Sequence, residues 1–212
     1  MQLKRRTLDG VHFTVTLRPT ATALLRSSLK LPCWQVRWDH QVGLDLNLGT
    51  PRMELIEPRV PTAKSSRLRA LQASRRVRLH GTHWLWLAPE VWMVNLADGT
   101  TARRTSSSRQ CSIATARLTG ERLVGLEINT LNGTTRFFFD LGAVLSAVRP
   151  RGWGHPEDGE LWSLHGPRRR YVAVFASGRY TYGIATKPDP VPVPILPQGA
   201  RSDYLRIGSI PA

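Results

Sequence analysis

Hydrophobic and polar residues alternate along most of this chain, with the period of two that marks strands burying one face. The clearest run is Cys33 to Asp39, CWQVRWD, in which Trp34, Val36 and Trp38 share one side. Residues 39–41 turn it, and Val42, Leu44, Leu46 and Leu48 then alternate with Gly43, Asp45 and Asn47. After a less regular stretch at 58–74 the pattern resumes at Arg75 as RRVRLHG, then HWLWL, then VWMVNL at 91–96. The last of these runs into Asp98-Gly99, a tight hairpin signal. Gln110 to Leu118, Leu123 to Asn129 and Thr134 to Asp140 predict three further strands, the last two joined across Asn132-Gly133. In that pair Val124, Leu126 and Ile128 share a face, across from Phe137 and Phe139. Glu160 to Leu164, Arg170 to Ala176 and Arg179 to Ile184 complete the β content, with Ser177-Gly178 as a turn.

The flanks read differently. Val11 to Leu17 predicts a first strand, and Thr20 to Lys30 a short helix ended by Pro32. Residues 58–74 predict a loop with a turn or two of helix around Leu68 to Gln72. Residues 149–159, RPRGWGHPEDG, are a Gly/Pro-rich break. From Lys187 the prolines of KPDPVPVPILPQG forbid a central strand and predict an extended or disordered tail. Roughly ten to twelve short strands with frequent turn signals define an all-β class: a mainly antiparallel sandwich or a bent, barrel-like sheet, with one short N-terminal helix. The chain divides into a basic N-terminal segment at 1–32, a β domain at 33–186 and a Pro-rich tail at 187–212.

Charge changes the picture more than composition does. Thirty Lys and Arg oppose fifteen Asp and Glu, a net charge of +15, and only Lys4, Lys30, Lys64 and Lys187 are lysines. Such a balance attracts anionic partners and says nothing about fold. No run approaches the length of a membrane span, and the basic start has no apolar stretch behind it, so no membrane partner is expected and the cytoplasm is the expected location. Cys33 and Cys111 each fall in a strand-like run, where a buried free thiol is expected.

Basic residues cluster. Between 58 and 89 stand Arg59, Lys64, Arg67, Arg69, Arg75, Arg76 and Arg78 with no acid among them, and Arg76 and Arg78 share one strand face. A basic loop feeding a basic strand can track a phosphate backbone. Arg103 and Arg104, with Arg109 and Arg117, add a second acid-free stretch, and Arg168 to Arg170 a third. Of the seven tryptophans, Trp34, Trp38, Trp84, Trp86 and Trp92 fall where a core is expected. Trp153, in a Gly-rich loop, and the alternating Tyr180 and Tyr182 are candidate exposed aromatic contacts.

Catalytic chemistry is thin. There is no G-x-S-x-G, no P-loop, no Rossmann glycine pattern and no zinc spacing. His80 and His83 flank a Gly-Thr turn rather than one helix face, so no metal site is expected there. His155, Glu157 and Asp158 share a loop that His165 could join in a metal-dependent or acid–base site, the most distant reading. No catalytic residue and no cofactor is expected.

Gly81 to Trp92, Thr134 to Gly142, and Trp162 followed by Gly178-Arg179-Tyr180 carry a resemblance. Across residues 33–184 the chain resembles a group of uncharacterised bacterial all-β proteins, some encoded in immunity or toxin-neutralising neighbourhoods. The resemblance implies an immunity-type or adaptor role in which a β surface occludes a protein partner. The residues themselves point first to a non-catalytic binder of an anionic macromolecule, nucleic acid above all. An acidic protein partner is the alternative.

Overall fold

The computed structural model describes residues 19–149, 159–185 and 204–210, with the backbone of three short strand pieces at 7–8, 11–12 and 193–194. In chain order, β1 (Thr7–Leu8) and β2 (Val11–His12) pair with each other and precede helix α1 (Pro19–Ser27). Strands β3 (Cys33–Asp39), β4 (Gly43–Leu48) and β5 (Arg52–Ile56) lead to helix α2 (Ser66–Ala73). Then come β6 (Arg76–His80), β7 (His83–Leu87), β8 (Trp92–Asn95) and β9 (Thr101–Arg103), and helix α3 (Ser108–Arg117). The chain finishes with β10 (Leu123–Asn129), β11 (Thr135–Phe139), β12 (Val144–Ala147), β13 (Glu160–His165), β14 (Arg170–Phe175), β15 (Arg179–Ile184), β16 (Val193–Pro194) and β17 (Tyr204–Gly208).

Two sheets face one another as a sandwich. One has six strands in the order β17-β10-β11-β12-β8-β9, the other seven in the order β16-β15-β14-β13-β7-β4-β3. Every pairing among the described residues is antiparallel. Leu44, Leu46, Leu85, Leu87, Leu164 and Val172 from one sheet are buried with Leu126, Ile128, Phe137 and Leu145 from the other. Phe137 meets Trp162 edge-on at 5.2 Å, and the Trp162 indole N–H donates to Thr135 Oγ1 at 2.7 Å. A buried indole needs such a partner, because an unpaired N–H away from water is costly.

The hairpin signals at Asp98-Gly99, Asn132-Gly133 and Ser177-Gly178 all join neighbouring strands. A bulge between Leu123 and Gly125 shifts the β10 alternation, so that Leu123, not Val124, is buried beside Leu126 and Ile128.

Two findings correct the expectations. Gln110 to Leu118 is not a strand but falls almost wholly in helix α3 (Ser108–Arg117), while α1 is the expected short N-terminal helix. A capping box starts α3: Ser107 Oγ accepts from the Gln110 backbone, and the Gln110 side chain accepts from Ser107 N. Its buried residues, Cys111, Ala114 and Thr115, with Leu118 at its C-cap, repeat at helical rather than strand spacing. The helix lies against β3 and β9, closing the sandwich along one side, and Trp38 reaches Ser112 there. Cys111 is therefore a helical rather than a strand residue. It and Cys33 are free and buried, and burial pushes the Cys33 thiol up to about 12.

Second, residues 204–208 of the expected Pro-rich tail form β17, the edge strand beside β10. That stretch has no proline. Ile207 turns into the core, and Arg206 Nε donates to Glu127 at 2.7 Å. Val193–Pro194 pairs with β15 at the other sheet's edge, where a proline is tolerated. The turn or two of helix expected around Leu68 to Gln72 is α2, about two turns over Ser66–Ala73 with no buried residue. Of the strand predicted at 11–17, only Val11–His12 lies within the described residues.

Candidate nucleic-acid interface

Strands β4 and β7 are direct neighbours, with Leu48 opposite His83, yet residues 49–82 intervene between them in the chain. Those residues leave the sandwich and return. The root is tight: Gly81 N donates to Asn47 Oδ1 at 2.8 Å, and Thr82 Oγ1 to the Leu48 carbonyl. A Cβ on Gly81 would stand 2.4 Å from that same carbonyl oxygen, so only glycine fits.

The excursion is a ribbon, β5 paired with β6, joined through α2. Gln72 stitches it: its side-chain oxygen accepts from Thr62 N and Ala63 N, and its carbonyl from Arg59 N. Register sorts the ribbon into two faces. Arg52, Glu54 and Ile56 stand opposite His80, Arg78 and Arg76 on one. Met53 and Leu55 stand opposite Leu79 and Val77 on the other, and all four are exposed, Met53 by 75 %.

The charged face looks onto the outer surface of the seven-stranded sheet. Between them lies a groove of about 400 Å³, lined by Arg37, Asp45, Asn47 and Trp84 from the sheet and by Ile56 and all of β6, Arg76, Val77, Arg78, Leu79 and His80, from the ribbon. A second cleft of about 250 Å³, with Glu54, Glu57, Arg59 and Gln72, shares Ile56, Arg76 and Arg78 with the first. Arg76 and Arg78 therefore serve both. Arg37, Arg59, Arg76 and Arg78 form no salt bridge among the described residues.

Trp84 is a correction to the expected core. In HWLWL it is His83, Leu85 and Leu87 that are buried, leaving Trp84 and Trp86 partly buried on the other face, Trp84 lining the groove and Trp86 packed against the core. Their indole N–H groups donate to Asp45 Oδ1 at 2.9 Å and to the Val42 carbonyl at 2.7 Å. His165 lies 4.7 Å from Trp84, and Tyr171 stacks on His165 at 5.7 Å. Strand register places Asn47, Trp84, His165 and Tyr171 in one row across four strands. Burial raises the Asp45 carboxyl, opposed by the Trp84 N–H and by the charges of Arg78 and Arg37. Burial lowers His165. Trp92 is buried as expected, while Trp34 and Trp38 are partly buried.

The other sequence candidates scatter. Arg75 pairs with Glu57 at 2.8 Å, an acid just outside the acid-free stretch. Lys64, Arg67 and Arg69 surround the exposed α2, with Arg69 donating to the Lys64 carbonyl. Arg103 and Arg104 sit on or beside β9, at the edge of the other sheet, and Arg104 pairs with Glu90 at 2.8 Å. Tyr180 is 2 % exposed and belongs to the core, so it offers no contact surface. Tyr182 packs against that core from a partly buried position. Trp153, His155, Glu157 and Asp158 lie outside the described residues. His83 is buried with Nε2 2.9 Å from Ser27 Oγ, whereas His80 lines the groove, so the two face different surroundings.

Sequence reasoning missed Arg37, Asp45, Asn47 and Trp84 as groove residues. The available signal was the alternation itself: the residues set against Leu44, Leu46 and Leu85 are two polar side chains and an amphipathic ring.

Among the described residues no helix is long and apolar enough to cross a membrane, and no three His, Cys, Asp or Glu side chains gather to hold a metal ion. Set against protein-family models, curated proteins and solved structures, the chain matches none. The class defined by fold and site is thus an antiparallel β sandwich carrying a basic, two-faced ribbon.

Proposed function

We propose that this protein binds nucleic acid without catalysis, through the arginine-rich face of the ribbon. The observation that carries the reading is the convergence of Arg76, Arg78, Arg37 and Arg59 on two adjoining clefts, none of them in a salt bridge among the described residues. Guanidinium groups outside salt bridges keep donors that can be offered to phosphate oxygens. The exposed Lys64, Arg67 and Arg69 of the α2 region widen the positive surface around them. Contacts of this kind supply affinity and position without reading sequence.

The test is fluorescence anisotropy with labelled oligonucleotides, on protein stripped of nucleic acid, titrated with salt. Log affinity is expected to fall with log salt by about 0.7 to 0.9 per neutralised phosphate, and Arg76→Ala with Arg78→Ala to remove about two such contacts. Arg104→Ala, whose side chain is already paired, is expected to change little. Binding indifferent to the Arg76 and Arg78 changes would refute the ribbon assignment.

One observation favours a second reading, the occluding adaptor. Met53, Leu55, Val77 and Leu79 make an exposed apolar strip among arginines, which suits an acidic, amphipathic segment of a partner protein. That reading expects a complex that survives high salt and is lost on Leu55→Ser with Val77→Ser.

A further inference from the structure

We infer that the groove between ribbon and sheet seats an unpaired base against Trp84, so that the nucleic acid this protein takes is single-stranded. The inference rests on the proposed nucleic-acid reading and narrows it.

The first ground is where the Trp84 ring lies. Leu85 and Leu87 already supply the core side of β7, and the indole is on the opposite surface, lining the groove. The second is how the ring is held. Its N–H is fixed to Asp45 Oδ1 at 2.9 Å, and His165 lies against it at 4.7 Å with the planes inclined by 32°. Tyr171 supports His165 in turn, nearly parallel at 22°. A ring fixed at its edge and backed by a second ring is organised before any ligand arrives, which limits the entropy lost on stacking.

The third ground is what surrounds the ring. Arg37, Arg76 and Arg78 line the same groove, so a phosphate can be met by cations while its base lies on the indole. This pairing of positive groove and aromatic platform is the physical basis of single-strand binding, since every base has a face to stack. A volume of about 400 Å³ falls in the range of small-ligand sites, roughly 300 to 1,000 Å³. In a duplex the base faces are already stacked on one another, so they are not offered to a side chain. Asp45 serves as a positioning residue for the ring, because its Oδ1 accepts from the indole N–H at 2.9 Å.

The experiment compares three labelled ligands of equal length by anisotropy: a single strand, its duplex, and an abasic strand with the same phosphates. The single strand is expected to bind wild type roughly 5- to 150-fold more tightly than the abasic strand, the range that stacking one base spans. Trp84→Leu is expected to abolish that difference while keeping the salt slope, and Trp84→Phe to retain most of it. Circular dichroism checks that each variant is folded. Independently of any variant, photocrosslinking wild type to a strand carrying a halogenated pyrimidine, with mass-spectrometric mapping, is expected to label Trp84 or a groove neighbour. Equal affinity for all three ligands, with a slope still set by Arg76 and Arg78, overturns the base site and leaves the nucleic-acid reading standing. A difference that persists in Trp84→Leu, or crosslinks only outside the groove, likewise overturns it. If none of the three ligands binds at low salt, the broader reading falls and the base site with it.

Discussion

The Glu127 carboxylate accepts from Arg206 Nε at 2.7 Å and fastens strand β17 to β10. Arg136 approaches the second oxygen at 3.9 Å from the other side, in register on β11. The Glu127 side chain is 8 % exposed, whereas both arginines reach solvent. Removing the acid therefore leaves no buried cation behind. Glu127→Ala is expected to cost about 1 kcal/mol in urea denaturation, and Arg206→Ala more, about 1 to 3 kcal/mol, because it leaves the buried carboxylate with only the longer Arg136 contact. No loss in Glu127→Ala would show that backbone pairing alone holds β17.

Thr135→Val tests the polar contact inside the core. It leaves the Trp162 indole N–H buried without its acceptor, expected to cost about 1 to 3 kcal/mol. Thr135→Ser restores the hydroxyl and is expected to recover most of that loss. Matching denaturation midpoints for the Val and Ser variants would mean that the lost methyl and the lost hydroxyl matter equally.

Helix α3 depends on its first turn. Ser107→Ala removes one half of the capping box and is expected to cost about 1 kcal/mol. Faster amide exchange is expected to appear first in residues 108–111. Ser107→Thr keeps an acceptor and is expected to stay near wild type by both measures.

Asp98 supplies a pH signature. Hydrogen bonds from Thr100 and the Arg117 guanidinium hold its carboxyl down at about 2, below the ordinary 3.8. The folded state therefore binds fewer protons than the unfolded one at this group. Its contribution is complete above about pH 4 and is lost as pH falls toward 2. Thermal melts of wild type and Asp98→Asn are expected to differ most at neutral pH and to converge across that window. A gap that stays constant down to pH 2 would assign the difference to something other than this carboxylate.

Most of the sandwich was legible because turn chemistry and alternation agree. Cys33 to Asp39 and Leu123 to Asn129 are strands over the predicted residues, and Asn132-Gly133 turns where expected. Helix α3 was not, because Cys111, Ile113 and Thr115 imitate a strand. The better guide was the Ser107…Gln110 spacing, a capping box lying inside what reads as a polar loop. In HWLWL both faces are apolar by composition, so period two cannot say which side is buried. The neighbours decide it, since Asp45 and the Val42 carbonyl offer the two tryptophans acceptors outside the core. Arg76 and Arg78 were found on one face as predicted. Their groove partner Arg37 was not, because it comes from a strand far earlier in the chain and only the β3-β4-β7 pairing brings it near.

The root of the ribbon has one more consequence. Because Leu48 and His83 already face each other across β4 and β7, residues 49–82 close a loop whose ends the scaffold itself holds together. Loop-closure entropy grows only slowly with length. The appendage can therefore lengthen, shorten or change its side chains with little effect on the body that carries it. Selection can reshape the surface of the ribbon without renegotiating how the sandwich folds.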